Sequence, residues 1–160
     1  MNEQQATALL GFLEQYAAFL NTMVQNEKEK LAALLSDSLP RIEHAILTAQ
    51  ADTKQMDSLE KKRLALQEKL GCGGYTLRQL ADATPLSLRA RMDVLCSEVR
   101  ANVDDIRYHN DKSMNVARTN VTRLAPDSVL AQPKTEGSEN PYARAKQHVE
   151  DVATILQTKA

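Results

Sequence analysis

The chain has 160 residues, no Trp, two Phe and four Tyr, a mean hydropathy of −0.43 and a formal net charge of −1. That length suits one domain, or one domain with a tail, and the near-neutral charge supplies no global field for nucleic acid or an anionic membrane. The chain is rich in Ala, Leu, Glu, Gln, Lys and Arg, the residues that lose least on entering a helix, so the expectation is an all-α protein. With so few aromatics, its core has to come from narrow stripes of Leu, Ile, Val, Met and Ala on long packed helices.

The first residues, MNEQQATALLGFLEQY, lack the basic start and unbroken apolar run of a signal peptide. No stretch approaches the ~18 apolar residues that span a bilayer, so the expectation is a cytoplasmic protein without stable membrane insertion. From Gln4 to about Leu35, Leu9, Leu13, Tyr16, Leu20, Met23, Glu27, Leu31 and Leu34 recur at steps of three and four, a helix seam with Glu27 as its polar interruption. SDSLPRIEH then offers Ser36, Asp37 and Ser38 as caps and Pro40 for a first turn, so one helix ends there and another begins.

The second helix carries Leu39, Ile42, Ile46, Ala49, Met56, Leu59, Leu66 and Leu70, with Arg63 expected to snorkel to the rim. Each helix of the pair is ~45 to 50 Å long at 1.5 Å per residue, and the short connection makes an antiparallel hairpin. Gly71 follows Leu70 as the left-handed residue that closes a helix, Gly73 and Gly74 release the chain, and Thr76 caps a short helix, TLRQLADA, ending before Pro85.

A third long helix places Leu88, Met92, Leu95, Val99, Val103, Ile106, Asn110, Ser113, Ala117, Val121 and Leu124 on one stripe. Between Ile106 and Val121 this stripe turns small and polar, so it packs weakly, bends or leaves room for a guest. Residues 126–141, with three prolines, read as a flexible linker between a helical bundle domain at 1–125 and a C-terminal helix at 142–160. In that last segment Asn140 and Pro141 start the helix, and Tyr142, Ala145, Val149, Val152 and Leu156 share a face with Ile155 beside it. So short an amphipathic helix needs a surface to fold against, either its own bundle or a partner.

Motifs for chemistry are sparse. GCGGYTLR has no lysine and follows a helix, so it is not a phosphate loop. Cys72 and Cys96 lie 24 positions apart without CxxC spacing and read as free structural thiols. His44, His109 and His148 form no HExxH or ExxH pair and read as surface or rim residues, and the residues after His44 do not follow the phosphotransfer pattern. Arg107, Lys112, Arg118 and Arg123 read as a solvated basic face. No catalytic set, metal site or cofactor is indicated, and the expectation is a protein that is not an enzyme.

One further pattern is the segment LEKKRLALQEKLG at Leu59 to Gly71 followed by TLRQLADATP, which resembles the charged LExxR helix end of the FlgN family of flagellar export chaperones. The region HNDKSMNVARTNVTRLAP, with Asn110, Asn115, Asn120 and Leu124, is similar to that family's Asn-containing third helix. The linker ends in Tyr142 near the family's Tyr-Gly or Tyr-Asp pair, although Ala143 stands where glycine is usual. The resemblance implies a cytoplasmic chaperone for the hook-filament junction proteins FlgK and FlgL that keeps their C-terminal helices from assembling early and delivers them to the type III export apparatus. With it, the partner-binding residues are Tyr142, Ala145, Val149, Val152, Ile155 and Leu156, together with Asn110, Ser113, Ala117 and Val121. The tail either competes with the client for the small stripe or simply completes the bundle. The alternatives are a helix-turn-helix DNA-binding regulator built on TLRQLADATPLSLRARMDVL, with Pro85 in the turn where Gly is usual, or a helical adaptor that self-assembles as a coiled coil.

Overall fold

The computed structural model describes residues 1–124. The linker and C-terminal helix expected at 126–160 lie outside the described residues. Within them the architecture is all-α: α1 (Glu3–Leu35), α2 (Leu39–Lys69), the short α3 (Leu77–Asp82) and α4 (Leu86–Leu124). Local chemistry sets each boundary. Asn2 and Gln5 form a reciprocal capping box at the start of α1, Gln5 N–H donating to Asn2 Oδ1 at 2.8 Å and Asn2 N–H to Gln5 Oε1 at 2.9 Å. The α1–α2 turn passes through Asp37 in the left-handed region, at φ 51°, and Pro40 falls in the first turn of α2.

The glycine cluster is a helix stop. Gly71 adopts φ 71°, its N–H donates to the Glu68 carbonyl at 3.0 Å, and the Cys72 N–H donates to the Gln67 carbonyl at 2.9 Å. That pair of bonds satisfies two carbonyls the end of α2 would otherwise leave bare. Thr76 and Gln79 repeat the capping box at α3, and Thr84 donates its hydroxyl to the Leu80 carbonyl at 2.7 Å just before Pro85.

Helix α1 is the axis of the bundle. Leu9, Leu13, Tyr16, Leu20 and Met23 are buried as one stripe, and Ala6, Leu10, Ala17 and Val24 as a second stripe one position away. Two adjacent stripes allow one helix to pack against two others. Tyr16 lies beside Glu60 and Arg63 of α2, while the Ala17 carbonyl accepts from Asn102 of α4 at 3.4 Å. Further cross-links pair Glu3 with Ser87, Lys30 with Asn110, and Leu34 with Asn120. Their rising order shows that α4 runs parallel to α1, the long antiparallel α2 having carried the chain back to the starting end. Met92, Cys96, Val99, Val103 and Ile106 supply the facing seam of α4, which continues unbroken through Asn110.

Helix α2 departs from expectation. Only Ala45, Met56 and Gln67 are buried along it. Leu39 is 64% exposed and Ile42, Ile46, Ala49, Leu59, Leu66 and Leu70 are half-buried. Its seam is half open because α1 divides its apolar surface between two neighbours. Arg63 does not snorkel to the rim: its side chain is largely enclosed and bonded to Glu60 and Gln67.

Replacing Leu13 by Ala in this shared axis should cost about 2–5 kcal/mol of unfolding free energy. The same change at exposed Leu47 should stay within about 0.5 kcal/mol. Urea unfolding followed by circular dichroism separates the two.

Candidate functional site

Two polar clusters interrupt the helical core. The first joins all three long helices at one level. Lys30 is only 2% exposed, although a lysine at an ordinary surface position keeps its ammonium in water. Its Nζ donates to Glu27 Oε1 at 2.7 Å, one turn back on α1, and across the interface to Asn110 Oδ1 of α4 at 3.2 Å. Asn26 Nδ2 donates to Asp52 Oδ2 of α2 at 2.8 Å. Ser113, 1% exposed, lies one turn beyond Asn110. Its Oγ and His109 Nδ1 are buried without a hydrogen-bond partner among the described residues. Leaving such a group unpaired costs about 1–3 kcal/mol.

Burial pushes the Glu27 carboxyl above the usual carboxylate range. Lys30 and His109 pull the other way and Asp52 adds to the rise, so the desolvation of a buried charge outweighs the ion pair here.

The second cluster ties α2 to the turn that follows it. Arg63 Nη2 meets Glu60 Oε1 at 2.5 Å, and Arg63 Nη1 donates to Gln67 Oε1, also at 2.5 Å. Gln67 Nε2 donates to the Tyr75 carbonyl at 3.2 Å. Burial, with Glu60 second, raises the Tyr16 hydroxyl well above the ordinary phenol range, so it stays a neutral donor. Every charge in this cluster has a partner, which suits a structural clamp better than a reacting group.

The residues singled out from the sequence fall into three groups. Asn110 (4% exposed) and Ser113 are interior; Ala117 is half-buried and Val121 exposed. A partner helix reaches Asn110 and Ser113 only if a neighbouring helix moves aside. Tyr142, Ala145, Val149, Val152, Ile155 and Leu156 lie outside the described residues. Cys72 and Cys96 are buried free thiols, and burial raises both above the usual thiol range, which lowers their thiolate fraction and reactivity.

His44 is exposed on α2. Among the described residues no three His, Cys, Asp or Glu side chains converge as a metal requires, and no helix is long and apolar enough to cross a membrane. The basic stretch of α4 is spread out: Arg107 faces Asp104 at 4.0 Å, Lys112 sits 4.8 Å over the Tyr108 ring, and Arg118 and Arg123 are exposed. In the α3–α4 unit, Arg91 is ion-paired with Glu14 and Arg89 donates to the Asp82 carbonyl.

Lys30 and Glu27 are the site residues that sequence reasoning missed as a pair. Glu27 is marked in the sequence as a break in the seam, but no local signal marks Lys30, three positions on. Comparison with protein-family models, with curated proteins and with solved structures finds no match.

A raised Glu27 pKa means that the folded state holds this proton more tightly than the unfolded chain. Its contribution to stability is therefore present below the ordinary carboxylate pKa and is lost as pH rises through the elevated value. Relative to Glu27→Gln, the wild-type protein should gain in Tm as pH falls from neutrality toward the ordinary carboxylate range. Thermal melts of both proteins across that range check this, and a Tm gap that does not change with pH would contradict it.

Proposed function

We propose that this protein is a non-enzymatic export chaperone of the FlgN type, which binds C-terminal helical segments of hook-associated proteins such as FlgK and FlgL in the cytoplasm. It holds them unassembled and passes them to the export apparatus. The observation that carries the reading is the half-open apolar seam of α2, where Leu39, Ile42, Ile46 and Ala49 lie along a helix that, among the described residues, packs mainly on α1. A seam of that kind takes the apolar face of another helix, with anchors at three- and four-residue spacing. The resemblance at Leu59–Gly71 and at Asn110–Leu124 supports the same class of function.

The mechanism needs binding and release and no covalent step. An aggregation-prone helix buries its apolar face against the chaperone, and the difference in affinity between chaperone and export apparatus drives its transfer. The C-terminal segment with Tyr142, Val149, Val152, Ile155 and Leu156 is assigned to the client-binding surface. Residues 126–141 span at most about 55 Å fully extended, at 3.3–3.6 Å per residue, and that reach matches the length of the bundle. Tail and client then compete for apolar surface.

Calorimetric titration of the full chain with the C-terminal helices of the hook-associated proteins tests this proposal. The expected result is saturable binding near one to one, with at least tenfold weaker affinity after truncation to residues 1–125. Replacing Val152 and Leu156 together by Asp should remove binding and leave Tm unchanged. A large fall in Tm would instead make the tail a part of the bundle, and no binding by the full chain would overturn the chaperone reading.

A further inference from the structure

The core of the bundle changes character along its length. On one side of the Lys30–Asn110 level, Leu9, Leu13, Leu20, Met92 and Val99 are fully enclosed and Tyr16, Met56 and Ile106 close around them. On the other side, toward the α1–α2 turn, the buried apolar residues among those described are Ala33, Leu34 and Ala45. Leu31, Ile42, Ile46, Met114 and Ala117 are half-covered there, and Leu35, Leu39, Leu47 and Val121 are exposed. Polar ties across this part are thin. Arg41 Nη2 meets Glu29 Oε1 at 2.7 Å with both side chains about half exposed, and Asn120 Nδ2 donates to the Leu34 carbonyl at 3.4 Å.

The polar layer between the two parts is poorly satisfied. Ser113 Oγ and His109 Nδ1 have no partner among the described residues, and Lys30 and Glu27 are held out of water. Opening the weakly packed part would hydrate these groups while giving up few enclosed apolar side chains. In the apolar part the balance is reversed, because each separation exposes enclosed Leu, Met and Val side chains. Packing strain also passes poorly through a layer whose contacts are single hydrogen bonds rather than interlocked side chains.

We infer that the Glu27–Lys30–Asn110–Ser113 layer is an opening boundary built into the bundle. Beyond it, residues 31–51 of α1 and α2 with residues 114–124 of α4 open as one cooperative unit while the apolar part stays folded. Opening frees Leu34, Ile42, Ile46 and Ala117 together, so the protein can present a continuous apolar surface at that end without unfolding. This inference rests on the packing of the bundle and holds whether or not the export reading does.

Amide hydrogen exchange on the full chain at neutral pH reads it directly. The expected pattern is a shared exchange rate for amides 31–35, 43–51 and 114–124, at least about tenfold faster than for 9–24 and 92–106. The break should fall within one turn of Lys30 in α1 and of Ser113 in α4. Uniform protection, or a smooth gradient toward each helix end as fraying gives, would overturn it. In a variant carrying Glu27→Leu, Lys30→Met and Asn110→Leu, the tenfold gap should shrink to about threefold or less, and an unchanged gap would deny the layer its role. The wild-type pattern decides the matter even where that variant does not fold, because the position of the break is itself the claim.

Discussion

The structure depends on one constraint: α1 must bury two adjacent stripes at once, one against α2 and one against α4. Its composition permits this because the second stripe, Ala6, Leu10, Ala17 and Val24, includes two alanines that let the neighbouring helix approach. Since α4 pairs with α1 in parallel, the chain has to return to the starting end between them. That requirement explains why α2 is as long as α1 and why a compact stop follows it at Gly71. It also explains why α2 is the least buried of the three long helices.

The polar clusters follow from the same arrangement. At Glu27 the apolar run of α1 is interrupted, and the facing seam of α4 turns to Asn110 and Ser113 at the same level, so a buried lysine can be matched to an acceptor on each side. A buried ion pair is weak evidence for stability, since desolvation takes back much of the attraction. Its better-attested use is to fix register, because sliding α4 by one turn would strand the Lys30 ammonium away from Asn110. The Arg63–Gln67–Tyr75 chain fixes the other end by anchoring α2 to the loop after it. Together the clusters hold a narrow bundle in one alignment where Leu and Ala stripes alone would tolerate several.

Much of the helix plan was legible in the sequence, because caps, Gly71 and three-four spacing are local signals. The stripe from Leu88 to Ile106 and the inner face from Leu9 to Met23 are legible for that reason. The second stripe of α1 was overlooked, and with it the unequal burial of α2, since periodicity finds a helix face but does not count its neighbours. Arg63 reads as a rim residue in the sequence because its acceptors, Glu60 and Gln67, lie on its own helix and become interior only once Tyr16 of α1 lies beside Glu60 and the Tyr75 carbonyl meets Gln67. Lys30 was invisible for a related reason: its partner is 80 positions away, and only the register of α4 on α1 brings the two together. The small polar residues at Asn110 and Ser113 were recognised as unusual, but their place in the interior was not.

A helical bundle with a firm apolar part, a thinly packed part beyond a polar layer and a half-open helix provides both a rigid support and a surface that can accept another helix. The export reading draws on that division of labour, and the division itself depends on α1 and α4 being locked in parallel at the Lys30–Asn110 contact. A double-mutant cycle with Lys30→Met, Asn110→Leu and the two combined, measured by urea unfolding, tests that contact most directly. The account predicts a coupling energy of about 1 kcal/mol or more between these residues, within the range for groups sharing a buried hydrogen bond. Additive effects, within about 0.3 kcal/mol, would show that they do not meet and that the register of the bundle is wrong.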